Sequence, residues 1–279
     1  MRKAKYLFSK PEALRRSIKG KSLFLFLDYD GTLAPIAETP DGAATPENVK
    51  YLLRELSKIQ DCRIAIVSGR ALRDISKRIG LKGIIYVGNH GFEIKGPKIK
   101  FKSPVSPGYR KTLETIKARL EKALSSISGA FIEDKTFSLS VHYRLVDKKD
   151  VLTVKNEFYS TIFLYELRNS IQVKPGKMVL EVRPPVPWNK GKVVLWLLGR
   201  RLFAVRDRSV KVMPVYIGDD VTDEDAFKSL KNRGITIFVG KPGRTKAHFY
   251  LKNPAETARF LEIILENMKE DMPCRKKNT

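Results

Sequence analysis

The sequence predicts an α/β protein in which an α+β unit interrupts a parallel-sheet core. Short apolar runs alternate with helical patterns before residue 98 and again after residue 186, and this alternation over short connections favours a parallel sheet. Between these regions, apolar and polar residues alternate at 137–141, which is typical of a half-exposed antiparallel sheet. The predicted core is residues 1–97 and 187–279, and the predicted insert is residues 98–186.

The first part of the core is predicted to run strand, helix, strand, helix, strand. Residues 23–27 are all apolar and end in a turn, which indicates a buried strand. Thr45 and Pro46 predict a helix start, with Thr45 as the cap and Pro46 in the first helical position. Further buried strands are predicted at 63–67 and 84–87.

The remaining elements are predicted from the same patterns. The insert should contain a strand-rich stretch at 98–101, helices at 111–125 and 150–168, and strands at 130–134, 138–143 and 178–182. The second part of the core should contain a helix at 190–202, strands at 214–217 and 235–239, helices from 223 and at 254–268, and a frayed tail at 271–279.

Charge and cysteine content limit the classes of function. The formal net charge of +24 favours anionic ligands such as phosphorylated metabolites. The basic residues are scattered rather than interleaved with aromatic residues, so neither nucleic acid nor a membrane is expected as a partner. Two cysteines indicate no disulfide framework, and no apolar run approaches the roughly 18 residues that span a bilayer. A cytoplasmic protein is expected.

A pair of aspartates follows the first predicted strand. Asp28 and Asp30 are two residues apart, beside Gly31. Carboxylates this close repel one another unless a cation or a proton compensates, and Mg²⁺ prefers carboxylate, phosphate and water oxygens. A carboxylate can also attack phosphorus and form an aspartyl-phosphate. The alternative is a plain turn, because Asp-Gly is a common turn pair.

A second acidic cluster follows the predicted strand 214–217, at residues 219–224. Because ligands of parallel sheets bind beyond the carboxyl ends of the strands, both clusters are expected at one edge. Asp219 is nearest the strand end and is the best candidate metal ligand. The alternative is a helix start, where the helix dipole favours acidic residues.

Two further side chains suit a phosphate. Ser68 follows the predicted strand 63–67, where its hydroxyl and nearby backbone N–H groups can donate to an anion. Lys190 begins the helix after the insert, where its charge can neutralise a phosphate and a nucleophile. Taken alone, Ser68 is a common helix cap and Lys190 an ordinary surface lysine.

These residues resemble, in order, the four motifs of the haloacid dehalogenase-like phosphohydrolases. The resemblance implies a Rossmann-like parallel-sheet core with an inserted cap domain. The matching residues are Asp28-x-Asp30-Gly-Thr, Ser68, Lys190 and Gly218-Asp219-Asp220.

The resemblance also implies a role for each residue. Asp28 would be the nucleophile, and Asp30 would protonate the leaving alcohol and then activate water. Mg²⁺ would be held by Asp28, the Asp30 backbone carbonyl and Asp219, with Asp220 and Asp223 as outer or alternative ligands. The implied phosphate-binding residues are Thr32, Ser68, Gly69 and Lys190.

The segments around the motifs are similar to the trehalose-6-phosphate phosphatases. In that family a cap lies between the second and third motifs, like the predicted insert, and it closes over the sugar. The similar segments are 27–36, 67–70, 88–93, 133–135, 142–144, 181–184 and 218–224. The implied sugar-facing residues of the cap are His142, Arg144, Lys177, Glu181 and Arg183, and the implied residues of the core–cap junction are Asn89, His90 and Glu93.

The sequence therefore predicts a Mg²⁺-dependent phosphatase that converts trehalose 6-phosphate to trehalose and phosphate through phospho-Asp28. One alternative is the same chemistry on a sucrose, glucosylglycerol or mannosylglycerate phosphate. Another is a non-catalytic protein that binds nucleic acid or a membrane through its basic surface. No fused synthase is evident, so coupling to a separate trehalose-6-phosphate synthase is expected to be non-covalent.

Overall fold

The computed structural model describes residues 4–200 and 212–275. The chain forms two compact units, which are unit 1, Met1–Phe101 with Trp188–Thr279, and unit 2, Lys102–Pro187. Among the described helices, none is both long enough and apolar enough to cross a membrane.

Thirteen strands and eight helices are described, numbered here in chain order. The strands are β1 (Lys5–Tyr6), β2 (Ser22–Leu27), β3 (Cys62–Val67), β4 (Ile85–Gly88), β5 (Glu93–Gly96), β6 (Ile99–Lys102), β7 (Phe131–Asp134), β8 (Leu139–His142), β9 (Gln172–Gly176), β10 (Val179–Arg183), β11 (Val212–Gly218), β12 (Ile235–Val239) and β13 (Phe249–Leu251). The helices are α1 (Pro11–Ile18), α2 (Glu47–Lys58), α3 (Leu72–Ile79), α4 (Pro107–Leu124), α5 (Val151–Leu167), α6 (Lys190–Gly199), α7 (Glu224–Leu230) and α8 (Pro254–Arg275).

Unit 1 contains a nine-stranded sheet in the order β1-β13-β12-β11-β2-β3-β4-β5-β6. The strands from β1 across to β4 pair in parallel, and β5 turns back antiparallel to β4. The mostly parallel sheet confirms the predicted α/β class.

Strand β2 is buried along its whole length because both faces of the sheet are covered. Leu23, Leu25 and Leu27 pack in a core that includes residues of α1, α2, α3 and α8. Phe24 and Phe26 pack in a second core with residues of α6 and α7. Two covered faces require an apolar strand, and residues 23–27 of β2 meet that requirement. This packing holds the segment that follows β2 in place.

The order of strands reverses beside β2. Strands β3 and β4 follow it on one side, whereas β11, β12 and β13 lie on the other. Ligands of such sheets bind at this switch point, beyond the carboxyl ends of the strands. Asp28 follows β2, Ser68 follows β3 and Asp219 follows β11, so the topology brings these residues to one edge.

Unit 2 contains a four-stranded antiparallel sheet in the order β7-β8-β10-β9. Val141 and Leu180 lie on the face that packs, with α4 and α5, in a single core. Because side chains alternate along a strand, Ser140 and Glu181 belong to the opposite face. Unit 2 is therefore an α+β unit with one polar sheet face.

The first segment of unit 1 ends at residue 101, later than the expected position 97, because β6 belongs to the nine-stranded sheet. The sequence patterns do not predict the short elements β1, α1, β5, β9 and β13. Helix α8 continues through the tail expected to fray from 271, as far as Arg275. Residues 276–279, and the last two residues of the helix predicted at 190–202, lie outside the described residues.

The predicted cap at Thr45 is wrong. Helix α2 begins at Glu47, with Pro46 in the cap position and no side-chain cap hydrogen bond. The Thr45 hydroxyl is instead 3.0 Å from Tyr29 Oη and donates to the backbone carbonyl of Arg78 over 3.4 Å. Its hydroxyl is therefore engaged in tertiary contacts.

Candidate active site

The loop after β2 carries the first aspartate pair. The backbone N–H of Asp28 donates to Ile217 O over 2.9 Å, which ties the start of the loop to β11. Gly31 then adopts a left-handed φ of 77°. A side chain at Gly31 would overlap the Asp219 carboxylate. Only glycine allows both the left-handed backbone and this close approach of the two acidic segments.

Lys190, the first residue of α6, lies between two aspartates. Its Nζ donates to Asp28 Oδ1 over 2.7 Å and to Asp223 Oδ1 over 2.8 Å, and all three side chains are buried. Burial alone would lower the pKa of Lys190, but the two carboxylates raise it. Lys190 is thus a fixed cation beside the expected nucleophile.

Asp28, Asp219 and Asp223 form a buried cluster in which one carboxylate oxygen of each residue lies within 4.8 Å of those of the other two. Lys190 supplies one positive charge against the three carboxylates. Burial, with added repulsion from Asp223 and Asp219, raises the pKa of Asp28 against the opposing effect of Lys190. A buried set of oxygen ligands with excess negative charge suits a hard divalent cation. These residues therefore fit Mg²⁺.

Asp223 is held from two further directions. Tyr216 Oη donates to Asp223 Oδ1 over 2.7 Å, and the backbone N–H of Asp220 donates to Asp223 Oδ2 over 3.0 Å. The Asp220 side chain in turn accepts from the backbone N–H of Asp223, so the two residues form a capping box. Asp220 caps a turn and lies outside the described carboxylate cluster, and Asp223 lies within it.

Asp30 pairs with Arg70. The guanidinium donates from Nε to Asp30 Oδ2 over 2.8 Å and from Nη2 to Oδ1 over 2.7 Å, and its Nη1 donates to Asp74 Oδ2 over 2.9 Å. This bidentate ion pair with Arg70 fixes the orientation of the Asp30 carboxylate. Because 41% of the Asp30 side chain is exposed, it remains accessible to a leaving group and to water.

The predicted phosphate-binding residues follow β2 and β3. Ser68 is buried and its Oγ accepts from the backbone N–H of Arg70 over 3.1 Å; the cap position of α3 belongs to Ala71 instead. Thr32 is fully buried, and within the described chain its Oγ1 has no hydrogen-bond partner. Since a buried hydroxyl without a partner is unfavourable, Thr32 is suited to a bound ligand. Gly69 leaves room for the ring of His90.

The turn after β4 is hydrogen-bonded to the loop that carries Ser68. Asn89 and His90 both adopt left-handed φ angles, 50° and 54°, which are strained for residues with a side chain. The backbone N–H of Asn89 donates to Arg70 O over 2.7 Å, and that of His90 donates to Ser68 O over 3.0 Å. Asn89 Nδ2 also donates to Glu93 Oε2 over 2.9 Å. Asn89 and His90 directly, and Glu93 through Asn89, are thus connected to the loop that carries Ser68, within unit 1.

In unit 2, Glu181 lies at the centre of a network on the polar sheet face. Its Oε1 accepts from Ser138 Oγ over 2.7 Å, and its Oε2 accepts from Arg183 Nε and Nη2 over 2.9 and 2.6 Å. Lys135 Nζ lies 3.9 Å from Glu181 Oε1. The structure therefore brings together Glu181 and Arg183, as expected of neighbouring residues on one face.

His142 lies on the same face, and two other predicted residues lie beyond it. His142 Nε2 is 2.9 Å from Glu133 Oε2, and its ring stacks on Phe131 with centroids 4.5 Å apart. Strand β8 ends at His142, one residue before the predicted end at 143, and Arg144 lies in the following turn. Arg144 is exposed and donates from Nη2 to the backbone carbonyl of Lys177 over 2.9 Å.

Sequence reasoning assigned no role to three residues that the structure places at these sites. Arg70 and Glu133 lie in the segments that resemble the family, but the sequence alone does not indicate which side chain each of them pairs with. In the sequence, Tyr216 is one more large residue of a buried strand. Only its buried hydroxyl, which needs a hydrogen-bond partner, signals a polar neighbour.

Comparisons with known proteins point to one family. The sequence model of the trehalose-phosphatase family matches residues 26–255. The chain is 38% identical over 273 residues to probable trehalose-phosphate phosphatase 4 of Oryza sativa subsp. japonica, over 95% of this chain and 72% of that protein. It is 36% identical over 267 residues to probable trehalose-phosphate phosphatase D of Arabidopsis thaliana, over 91% of this chain and 70% of that protein. A solved C-terminal domain of C. albicans trehalose-6-phosphate phosphatase superposes with a TM-score of 0.79 at 26% identity, over 94% of this chain and 99% of that chain.

Proposed function

The chain belongs to the trehalose-phosphatase family, whose members are phosphoric monoester hydrolases, and on that premise we propose that it hydrolyses trehalose 6-phosphate through an aspartyl-phosphate on Asp28. The observation that carries the proposal is the ammonium of Lys190, which joins Asp28 and Asp223 in a buried cluster with Asp219. Burying three carboxylates around one lysine is unfavourable unless a further cation binds there. Such a cation, together with Lys190, would in turn attract an anionic substrate.

The proposed chemistry has two steps. The Asp28 carboxylate attacks phosphorus, the bond from phosphorus to the sugar oxygen breaks, and Asp30 donates a proton to that oxygen. Asp30 then takes a proton from water, the water oxygen attacks phosphorus, and the bond to Asp28 breaks to release phosphate. Among the described residues, Lys190 uses two of its three N–H groups on Asp28 and Asp223, so one remains for a phosphoryl oxygen.

Mg²⁺ is the proposed cofactor. Asp28, Asp219 and Asp223 would hold it together with the Asp30 backbone carbonyl, and when bound it supplies charge that stabilises the phosphoryl oxygens. The Thr32 hydroxyl, which has no hydrogen-bond partner among the described residues, supports a role in binding the phosphoryl group. Ser68, Gly69 and Lys190 are proposed to bind it as well.

The polar sheet face of unit 2 is proposed to recognise the sugar. A polyol offers hydroxyls that both donate and accept, and Glu181 with Arg183 and His142 provides acceptors and donors on one face. Sites built from such groups discriminate strongly between hydroxyl patterns. Roles for Asn89, His90, Glu93, Arg144 and Lys177 in sugar binding, a separate synthase as partner and a cytoplasmic location stay predictions.

The test is phosphate release from trehalose 6-phosphate, sucrose 6-phosphate, glucosylglycerol phosphate and mannosylglycerate phosphate, with Mg²⁺ or with EDTA. The proposal predicts the highest kcat/KM for trehalose 6-phosphate and no release in EDTA. A preference for another of these esters would keep the chemistry and overturn the substrate. Release that is unaffected by EDTA would overturn the cofactor.

A pair of acidic residues in unit 2 tests the sugar assignment. Glu181→Gln should lower kcat/KM for trehalose 6-phosphate by about tenfold or more, while leaving hydrolysis of p-nitrophenyl phosphate, which has no sugar, nearly unchanged. Asp134→Asn is the matched control, because Asp134 also pairs with an arginine, Arg110, but on the helix-covered face. Equal effects of the two substitutions on both substrates would contradict the assignment.

A further inference from the structure

The hydroxyl of Tyr216 shares an acceptor with the proposed catalytic lysine. Tyr216 Oη and Lys190 Nζ both donate to Asp223 Oδ1, over 2.7 and 2.8 Å, and the same Nζ donates to Asp28 Oδ1 over 2.7 Å. The hydroxyl is therefore connected to the proposed nucleophile through two side chains. All four side chains lie in unit 1 and are buried.

Apart from its hydroxyl, Tyr216 occupies a site suited to phenylalanine. Its ring stacks on Phe26 with centroids 6.4 Å apart and meets Phe227 edge-on at 5.7 Å, and it is part of the apolar core on that face of the sheet. Burying a hydroxyl in such surroundings is unfavourable unless it has a partner. The hydrogen bond from this hydroxyl to Asp223 is thus the feature that distinguishes tyrosine from phenylalanine here.

The hydrogen bond to Asp223 affects how Lys190 is shared. One ammonium group is hydrogen-bonded to two carboxylates. Any other donor to Asp223 therefore weakens the attraction between Asp223 and Lys190. Asp223 Oδ2 is already engaged by the backbone N–H of Asp220, and Tyr216 supplies the second donor at Oδ1. Without the hydroxyl, Lys190 would move toward Asp223 and weaken its contact with Asp28.

We propose that Tyr216 is a positioning residue, whose hydroxyl keeps the ammonium of Lys190 shared between Asp223 and Asp28. This inference rests on the proposed phosphatase function. Because the proposed contacts of Lys190 are with the nucleophile and the transferring phosphoryl group rather than with the sugar, its displacement should affect the chemical step.

The test compares Tyr216→Phe with Tyr86→Phe. Tyr86 also lies in the sheet of unit 1, is 6% exposed and uses its hydroxyl, which donates to Leu81 O over 2.7 Å and accepts from Leu81 N over 3.0 Å. Both variants lose one nearly buried hydroxyl and keep the ring. Steady-state kinetics on trehalose 6-phosphate should show kcat lowered about tenfold in Tyr216→Phe with KM within about twofold, and no comparable change in Tyr86→Phe.

A second readout does not depend on turnover. The ¹⁵Nζ resonance of Lys190, assigned by its loss in Lys190→Arg, should shift in Tyr216→Phe and stay in place in Tyr86→Phe. In the wild-type protein, the Tyr216 hydroxyl proton and the Lys190 ammonium protons bond the same oxygen, so they lie within about 4 Å and should show a nuclear Overhauser effect. This last measurement is made on the wild-type protein and uses Lys190→Arg only to assign the resonance.

The outcomes separate the inference from the proposed function. A kcat in Tyr216→Phe within twofold of wild type, an equal loss in Tyr86→Phe, or an unchanged Lys190 resonance would each overturn the positioning role. If the wild-type protein hydrolyses no sugar phosphate, the proposed function fails, and the Lys190 resonance still decides whether the hydroxyl controls the lysine.

Discussion

Replacing Gly31 by alanine tests how closely the two acidic segments approach. With φ at 77°, a Cβ at this position would lie 2.5 Å from Asp219 Cγ and closer still to Oδ2. Ordinary contacts between carbon atoms lie at about 3.5 Å, so the Asp219 carboxylate must move by about 1 Å. That displacement would carry Asp219 away from Asp28 and Asp223, with which it forms the cluster.

The magnitude follows from the displacement. Moving a catalytic group by about 1 Å lowers the rate on the order of 100-fold. Mutation of a residue that only orients a metal ligand lowers metal affinity by about 10- to 100-fold, and displacement of the proposed ligand Asp219 should have at least that effect. Alanine in a left-handed conformation costs a further 1–2 kcal/mol of stability, roughly, wherever it occurs.

Gly20 isolates this backbone cost from the clash. Its φ is 69°, close to that of Gly31, and among the described residues no atom lies within 4 Å of the position that a Cβ would take. A Cβ at Gly20 would therefore meet open space, whereas one at Gly31 would meet Asp219. Gly20→Ala is the matched control for Gly31→Ala.

The assay combines three measurements on Gly31→Ala and Gly20→Ala. Urea unfolding should show a similar loss of stability in both variants, of about 1–2 kcal/mol. Calorimetric titration with MgCl₂ and steady-state kinetics should show weaker Mg²⁺ binding and a kcat lowered about 100-fold in Gly31→Ala alone. If Gly31→Ala binds Mg²⁺ and turns over substrate like Gly20→Ala, the position of Asp219 governs neither metal binding nor turnover, contrary to this prediction.

Three further predictions concern other side chains of unit 1. Arg70→Lys keeps the charge but loses the bidentate ion pair with Asp30. Because the Asp30 carboxylate is then less well oriented, kcat should fall about tenfold with little change in KM. An unchanged kcat would contradict the orienting role of Arg70. Burial raises the pKa of Cys62 to about 12, so in a Cys274→Ser variant Ellman's reagent should react only after denaturation; a rapid reaction of the native protein would contradict this. Although burial opposes the change, hydrogen bonds from two arginines lower the pKa of Asp74. Ionised Asp74 therefore stabilises the folded state at pH values above its pKa in the unfolded chain, about 4. This stabilisation is lost as pH falls through the lower pKa that Asp74 has in the folded protein. Asp74→Asn should flatten the fall in urea-unfolding free energy below about pH 4, and identical pH slopes would count against it.

The fold could be predicted from the sequence where local patterns were strong. The all-apolar run of β2 and the largely apolar run of β3 indicated buried parallel strands because both faces of the sheet are covered. Short or solvated elements such as β1 and β13, with two and three residues, have too few side chains to show a period. They form because their backbones pair with neighbours distant in the chain.

The carboxylates of the site could be located from the sequence, but their partners could not. Asp28 and Asp219 follow buried strands, and parallel strands bring their carboxyl ends to one edge. Which of Asp220 and Asp223 joins the cluster depends on the capping box. Both carboxylates accept from a backbone N–H in this box, but Asp223 also accepts from Lys190 through its second oxygen. The pairing of Arg70 with Asp30 joins residues 40 positions apart, and no local pattern encodes such a contact.

Phosphorylation of Asp28 during turnover is the central step of the proposed mechanism. The direct measurement is to quench the enzyme with acid during steady-state hydrolysis of trehalose 6-phosphate, treat it with borohydride, and identify the peptide that contains residue 28 by mass spectrometry. Borohydride reduces an acyl phosphate to an alcohol, so the mechanism predicts homoserine at position 28 in the wild type with substrate, and none without substrate or in Asp28→Asn. Active enzyme that yields no homoserine at position 28, or yields it at position 30 instead, would contradict the mechanism.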